Sequence, residues 1–337
     1  MTARLLVLGG SGFVGRALVL EGLDRGWEVT TFNRGRRAVA DRRVRTVRGD
    51  RLVPADLRPL GEGRWDLVAD TWSGAPRAVR DSAAALARRA GAYVYVSSCS
   101  VYRPPPPMAL TEATATVDAD ADADADGGGG DYAQLKRGSE LAAVAAFGER
   151  ALLLRAGLIL GPHEDVGRLP WWLGRMARGG DVVAPGPAEL PLQYIDARDL
   201  ARFALDAAMD GVGGPINTVS RRGHTTMGEL LEICREVAGG ADTQLRWLPA
   251  ETLLAAGIEP WMDLPVWIPP GHEFEAMHGA DVERAHRAGL RCRPVQDTVA
   301  DTWAWLAALD GSPPRRADLP PLGLDPEVER EILADHH

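Results

Sequence analysis

At 337 residues, 45% hydrophobic and 25% charged, the chain is long enough for a full α/β core with a smaller second lobe, and its composition excludes a disordered protein. A formal net charge of -9 argues against nucleic acid or an anionic membrane surface as the main partner, although Arg34 to Arg51 holds eight arginines. Three scattered cysteines, Cys99, Cys234 and Cys292, give neither a disulfide framework nor metal-ligand spacing, and no run nears the ~18 apolar residues of a membrane span.

A reducing, cytoplasmic setting with no bound metal is therefore expected, and Met1-Thr2-Ala3-Arg4 leads straight towards a strand without a leader-like pattern. The first strand is expected at Leu5-Leu6-Val7-Leu8, a continuous apolar run of the kind a parallel sheet buries on both faces. It empties into Gly9-Gly10-Ser11-Gly12-Phe13-Val14-Gly15, followed by a helical pattern to about Leu23. Glycines there permit a tight turn, close backbone approach to a pyrophosphate and close packing of helix on strand, while the helix N-terminus offers free N–H groups to phosphate. Gly9, Ser11, Gly12, Phe13 and Val14 are thus the expected phosphate-binding residues.

Trp27 to Phe32 reads as a second strand ending at Asn33-Arg34. An acidic residue at that strand end grips the ribose hydroxyls of NAD, whereas arginine accommodates a 2′-phosphate, so Asn33 and Arg34 favour NADP over NAD. Val44 to Val47 gives a third strand, with Asp50 placed where such domains hold adenine. Leu67 to Asp70 is the fourth, and Asp70, Thr71 and Trp72 are expected to line the cofactor, because open α/β sheets bind ligands beyond the strand carboxyl ends. A helix from Ala75 to Ala90 leads to a fifth strand, Tyr93 to Ser97.

After a proline run, Pro104 to Pro107, comes Asp118 to Gly130, an Asp-Ala repeat ending in four glycines. Like charge, low hydrophobicity and glycine read as a mobile loop, either a lid over a substrate or a tolerated surface insertion. It precedes a helical pattern from Asp131 to about Glu149 that carries Tyr132 and Lys136. Of 38 basic residues only this one is lysine. Residues four apart share a helix face, so the phenol and the ammonium can meet one small molecule. A compact ammonium beside a phenol favours phenolate, lowering a tyrosine from its reference near ~10 towards the range an acid/base catalyst needs, and the same ammonium can bond a ribose hydroxyl.

Three features occur together: the glycine turn, Ser97-Ser98-Cys99-Ser100-Val101-Tyr102 after the fifth strand, and Tyr132-x-x-x-Lys136. In that combination residues 3 to 205 resemble the short-chain dehydrogenase/reductase superfamily, in its epimerase/dehydratase-like extended and atypical branch. The resemblance implies a doubly wound parallel (Rossmann) α/β sheet with a smaller α-rich C-terminal substrate lobe, and a catalytic set of Ser98, Tyr132 and Lys136. It also implies nicotinamide contacts from the backbone of Ala156 and Leu158, in a turn similar to the family's Arg-Pro-x-x-x-Tyr-Gly-Pro. Ile195-Asp196-Ala197-Arg198-Asp199 resembles its return to the main domain.

Two departures from that pattern bear on substrate. Sugar dehydratases of the branch carry Asp and Glu after the catalytic residue, where this chain has Cys99 and Ser100. Nucleotide-sugar members clamp a diphosphate with an arginine where this chain has Leu192, next to Gln193 and Tyr194, so the bidentate partner of a diphosphate is missing. Cys99, Ser100, Trp171 and Gln193 are the expected substrate contacts. Trp171, Trp172, Trp247, Trp261 and Trp267 suit either ring stacking or core.

The domains expected are residues 1–162 for the dinucleotide, 163–310 for the substrate, with 194–220 returning to the first, and a tail from 311 to 337. The function expected is NAD(P)-dependent hydride transfer at a hydroxyl or carbonyl carbon of a small molecule that is not a nucleoside-diphosphate sugar. The alternatives are an epimerase or dehydratase that recycles NAD on a sugar or nucleoside, with Cys99 as acid, and an RNA-binding protein on the same fold, since Gly9-Gly10 with Gly15 also resembles an atypical subgroup containing chloroplast RNA-binding proteins. A homodimer is left open.

Overall fold

The computed structural model describes residues 2–37, 41–105, 110–123, 131–309, 315–316 and 319–336. The chain begins β1 (Arg4–Leu8), α1 (Phe13–Asp24), β2 (Glu28–Asn33), β3 (Arg45–Arg48), α2 (Arg58–Glu62), β4 (Trp65–Asp70), α3 (Pro76–Leu86), β5 (Ala90–Ser98), α4 (Tyr132–Phe147) and β6 (Ala151–Ala156). There follow β7 (Leu158–Leu160), α5 (Arg168–Ala177), β8 (Asp181–Pro185), β9 (Pro191–Leu192), β10 (Tyr194–Asp196), α6 (Ala197–Met209), β11 (Gly214–Thr218), β12 (Thr225–Thr226), α7 (Met227–Ala238) and β13 (Gln244–Leu248). The remainder is helical: α8 (Ala250–Ala255), α9 (His272–His278), α10 (Glu283–Arg287), α11 (Val295–Ala307) and α12 (Pro326–Asp335).

Two compact units result, one of Met1–Gly157, Ala197–Val219 and Asp281–Arg291, the other of Leu158–Asp196, Ser220–Ala280 and Cys292–His337. The first holds a seven-stranded sheet in the order β11-β6-β5-β4-β1-β2-β3, every adjacent pair parallel. Leu5 to Leu8 of β1, flanked by β4 and β2, have at most 1% exposure, because helices cover both faces and the strand has no polar side to show. This is a Rossmann-type doubly wound fold. Register brings Leu8 opposite Asp70, Asp70 opposite Tyr95, and Ser98 opposite Ala156, so the carboxyl ends of four neighbouring strands meet. The helix expected to run to Ala90 stops at Leu86, since Ala90 already pairs with Trp65 and the Arg89 carbonyl accepts the Trp65 N–H. Asp281–Arg291 joins this unit through Arg284, which donates to the carbonyls of Gly213 and Pro215.

Of the Asp-Ala stretch, Asp118 pairs with Arg103 (3.0 Å) and Asp122 with Arg80 (2.6 Å), and Asp120 presents its carbonyl to Gly138 of α4, so these residues are fastened to the unit. The rest of that loop, 124–130, lies outside the described residues, as do Pro106, Pro107 and His337.

The second unit is built on an apolar core that includes Trp172, Leu173, Met176, Leu230, Leu231 and Trp267. Trp172 and Trp267 are core, not ligand surfaces; Trp172 Nε1 donates to Pro265 O at 2.6 Å. The helix α12 is anchored by Glu329, which accepts from Arg175 Nε (2.6 Å) and from the Val183 N–H (3.2 Å). Glu164 caps α5 by accepting the N–H groups of Arg168 (2.6 Å) and Leu169 (3.2 Å), and full burial pushes its carboxyl up to about 7. Between its ordinary value and about 7 the folded state holds a proton that the unfolded state has released, so this stability is full at low pH and lost as pH rises through 7. The loss corresponds to about 3 kcal/mol. The melting temperature of Glu164→Gln minus that of wild type is expected to rise from pH 5 to 7, because only wild type loses the Glu164 contribution; His278, which burial holds down to about 4, slopes the other way but equally in both proteins and so cancels in that difference. Parallel curves would exclude Glu164 as the source.

Candidate active site

The glycine turn after β1 has the geometry a pyrophosphate requires. Gly9 (φ 123°) and Gly10 (φ 86°) occupy conformations closed to ordinary side chains, and a Cβ on Gly9 would lie 2.6 Å from Thr71 Oγ1. A Cβ on Gly15 would lie 2.6 Å from the Gly10 backbone nitrogen, whereas the space beside Gly12 is open. Gly12 stands at the N-cap of α1 without a capping side chain, and the first turn holds no acid, so nothing in Ser11-Gly12-Phe13-Val14 competes with a phosphate for the N–H groups or the dipole. These residues fit an NAD(P) pyrophosphate. Gly15→Ala is expected to force Gly10 aside and weaken NADPH binding by at least about tenfold, a loss of the size overpacking produces; a fluorescence titration with NADPH reads it directly, and unchanged affinity would refute the role of the close approach.

At the adenosine end, Asn33 Oδ1 accepts the Gly35 N–H (2.8 Å), which shapes the turn that presents exposed Arg34. Asp50 Oδ1 accepts from Leu52 N (3.0 Å) and the Asp50 N–H donates to Asp56 (2.8 Å), a self-bonded turn beside the third strand. Thr71 is half-buried against Gly9.

Asp70 departs from expectation. It is fully buried, accepts both ends of the Arg51 guanidinium (2.5 and 2.6 Å), takes the Tyr93 phenol, and accepts the Trp72 N–H (2.9 Å), leaving it turned into the protein and not towards a ligand. A carboxylate under the sheet end needs such partners to remain charged.

The helix α4 is capped by Asp131, whose side chain accepts from Ala133 N, and its first residue, Tyr132, is 49% exposed. Lys136, one turn on, is 4% exposed. Its Nζ donates to Val96 O (2.7 Å) and Trp72 O (2.8 Å) and lies 4.9 Å from the Tyr95 ring centre and 6.0 Å from that of Tyr132. Ser98, at the end of β5, donates to Ser100 Oγ (3.0 Å) and accepts the Ser100 N–H (3.1 Å), so it caps the following turn while half-exposed. Ala156 closes β6 beside it, and in the other unit Leu158 opens β7.

Cys99 is not placed to act as an acid. Its thiol donates to Arg155 O (3.2 Å), and burial pushes it up to about 12. Gln193, expected to touch substrate, is fully buried and spent on structure: its amide donates to Ser220 O and Ala280 O and accepts from Ala280 N, each within 2.9 Å. Leu192 is buried beside it and Trp171 is half-buried, edge-on to Trp172. Ser100 alone of the four expected substrate contacts is exposed.

Sequence reading passed over Glu140 and Arg155. Glu140, fully buried on α4, receives Arg155 Nε and Nη2 (both 2.9 Å), Ser97 Oγ (2.8 Å) and Arg137 (2.8 Å). The available signals were its place one turn beyond Lys136 and the lone charge of Arg155 in an apolar strand run.

The sequence profile of the NAD dependent epimerase/dehydratase family matches residues 5–218, and a search of curated proteins by sequence returned no match. Among solved structures, the Bordetella bronchiseptica enzyme WbmH in complex with NAD+ is similar with a TM-score of 0.65 at 17% identity, over 93% of this chain and 100% of that one. UDP-glucose 4-epimerase from Thermotoga maritima with UDP-glucose gives 0.65 at 16%, over 91% and 99%, and UDP-glucuronic acid 4-epimerase from Bacillus cereus with NAD gives 0.62 at 16%, over 91% and 99%. At such identities the likeness bears on the fold alone. With its profile matched across well over half of its length, this chain belongs to the NAD-dependent epimerase/dehydratase family, and is an NAD(P)-dependent enzyme of the short-chain dehydrogenase/reductase type.

Proposed function

We propose that the enzyme transfers hydride at a hydroxyl or carbonyl carbon of a small molecule lacking a nucleoside diphosphate, with NADP preferred over NAD. The observation that carries this reading is the buried Lys136 ammonium, fixed by two carbonyls and facing the exposed Tyr132 phenol across 6.0 Å to its ring centre. Bound NAD(P) supplies the hydride carrier. Tyr132 gives a proton to, or takes one from, the substrate oxygen; Lys136 holds positive charge beside the phenol and bonds the nicotinamide ribose; Ser98 orients the oxygen through its hydroxyl. Ala156 offers its backbone to the carboxamide, and Arg34, exposed after the Asn33 turn, meets a 2′-phosphate.

Leu192 in place of an arginine, and buried, supports a substrate without a diphosphate. The Cys99 thiol, held neutral and bonded to Arg155 O, speaks against the dehydratase reading that relied on it. An epimerase that oxidises and then reduces its substrate uses the same three residues, and membership of the family keeps that as the second reading.

The decisive experiment releases and identifies the nucleotide that copurifies, then follows NADPH and NADH consumption against a panel of carbonyl compounds. Net NADPH consumption, with an empty or exchangeable site, is expected. Tightly held NAD without net consumption would replace this reading with the epimerase.

A further inference from the structure

Arg51, Asp70, Ser82 and Tyr93 form a polar cluster with at most 6% exposure, and a buried cluster of this kind calls for a purpose. The cluster ends on one peptide group. Asp70 Oδ1 accepts the Trp72 N–H at 2.9 Å, and the Arg51 guanidinium lies over the Trp72 ring at 5.1 Å. The Trp72 indole donates to Ala75 O (2.9 Å), closing the turn from its other side. On the opposite end of the same residue, Trp72 O receives Lys136 Nζ (2.8 Å) and the Tyr95 phenol (2.9 Å). A carbonyl can fix an ammonium only if it is itself fixed, and Trp72 lies in an irregular segment past β4 where no sheet ladder holds it.

We infer that Asp70, held and oriented by Arg51, is a positioning residue for Lys136: it locks the Trp72 peptide so that its carbonyl, with that of Val96, sets where the ammonium stands. The inference rests on the reading of Lys136 as the catalytic lysine. Arg51 acts one step behind, by holding both Asp70 oxygens while Ser82 accepts its Nη2 (2.7 Å). The charged and titratable groups around the ammonium are Tyr95 on β5, Tyr132 on α4 and, behind Trp72, Asp70 with Arg51; Glu140, the next acid along α4, is engaged by Arg155.

The test exploits the fact that the chain has a single lysine. Protein grown with lysine isotope-labelled at Nζ gives one ammonium resonance, and its proton exchange rate reports how firmly the group is bonded. In wild type, slow exchange is expected. In Asp70→Asn, and in the paired variant Arg51→Met with Asp70→Leu, exchange is expected to accelerate by about tenfold or more, the size of coupling between neighbours in one network. The paired variant removes both charges together and so folds where the single one strands Arg51. A control, Arg175→Met with Glu329→Leu in the other unit, is expected to leave exchange unchanged at a comparable drop in melting temperature. Wild-type exchange as fast as free lysine, unchanged exchange in a folded Asp70 variant, or equal acceleration in the control would each overturn the inference. Adding NADPH separates the underlying reading: a resonance that does not respond to NADPH bound to wild type removes Lys136 from the nicotinamide site, whatever the variants show.

Discussion

Lys136→Arg is expected to fold and to lose most of its turnover, by about 10²–10⁴-fold, the range that a positioned acid/base system contributes. Charge is conserved in this exchange, so the loss would come from shape. The Nζ position is bounded by two carbonyl oxygens at 2.7 and 2.8 Å and by the Tyr95 ring at 4.9 Å. A planar guanidinium with donors in a rigid fork cannot place one compact charge at that point and also reach outward to a ribose. It would displace Trp72 or withdraw towards Tyr132, and either movement separates the charge from the phenol it serves. Overpacking of this kind costs about 1–3 kcal/mol, which melting would register as a modest drop, while NADPH titration and initial rates register the functional loss. Near-native rates in the variant would contradict the role given to the ammonium, and with it the proposed chemistry.

Breaking the Glu140–Arg155 pair is expected to produce the largest stability loss. Glu140→Ala strands the buried Arg155 charge, at a cost of about 3–5 kcal/mol and a melting drop on the order of 10 °C for a domain of this size, while Arg155→Met leaves the buried Glu140 with only Arg137 as an ionic partner and is expected to cost less. Glu140→Leu combined with Arg155→Met is expected to melt closer to wild type than either single change, because the cost lies in the unpaired ion more than in the lost bond. The pair also joins α4 to the sheet next to the site, since Ser97, the neighbour of Ser98, donates to the same carboxylate and Arg155 stands opposite Ser97 in register. Arg155 further stacks over Tyr102, whose phenol donates to Asn217 Oδ1 (2.5 Å). Calorimetry on the three variants checks the order, and a double variant no better than the singles would show that the hydrogen bonds, not the charges, dominate.

These two sites illustrate different degrees of legibility. Lys136 could be singled out because it is the lone lysine among 38 basic residues, four beyond a tyrosine on a helical pattern. Glu140 and Arg155 lie fifteen residues apart, and nothing in their spacing says that a helix and the following strand bring them to 2.9 Å. Asp70 was misread for a related reason: the end of a parallel strand is where ligands bind, but whether a side chain there points outward or inward depends on a partner such as Arg51, nineteen residues away. Gln193 was misread because an amide beside an apolar residue can serve substrate or backbone equally well until its carbonyl partners, Ser220 and Ala280, are in place.

The residues by themselves determined the alternation of apolar strands with helices, the glycine turn that no bulkier side chain could form, and the pairing of phenol with ammonium on one helical face, because each depends on local geometry within one or two turns of chain. Only the tertiary structure decided which charged groups are buried with partners, that the Cys99 thiol is bonded to Arg155 O, and that the Trp72 carbonyl holds Lys136. Those outcomes depend on desolvation and on contacts between segments far apart in the chain, and both exist only once the strands have been laid side by side.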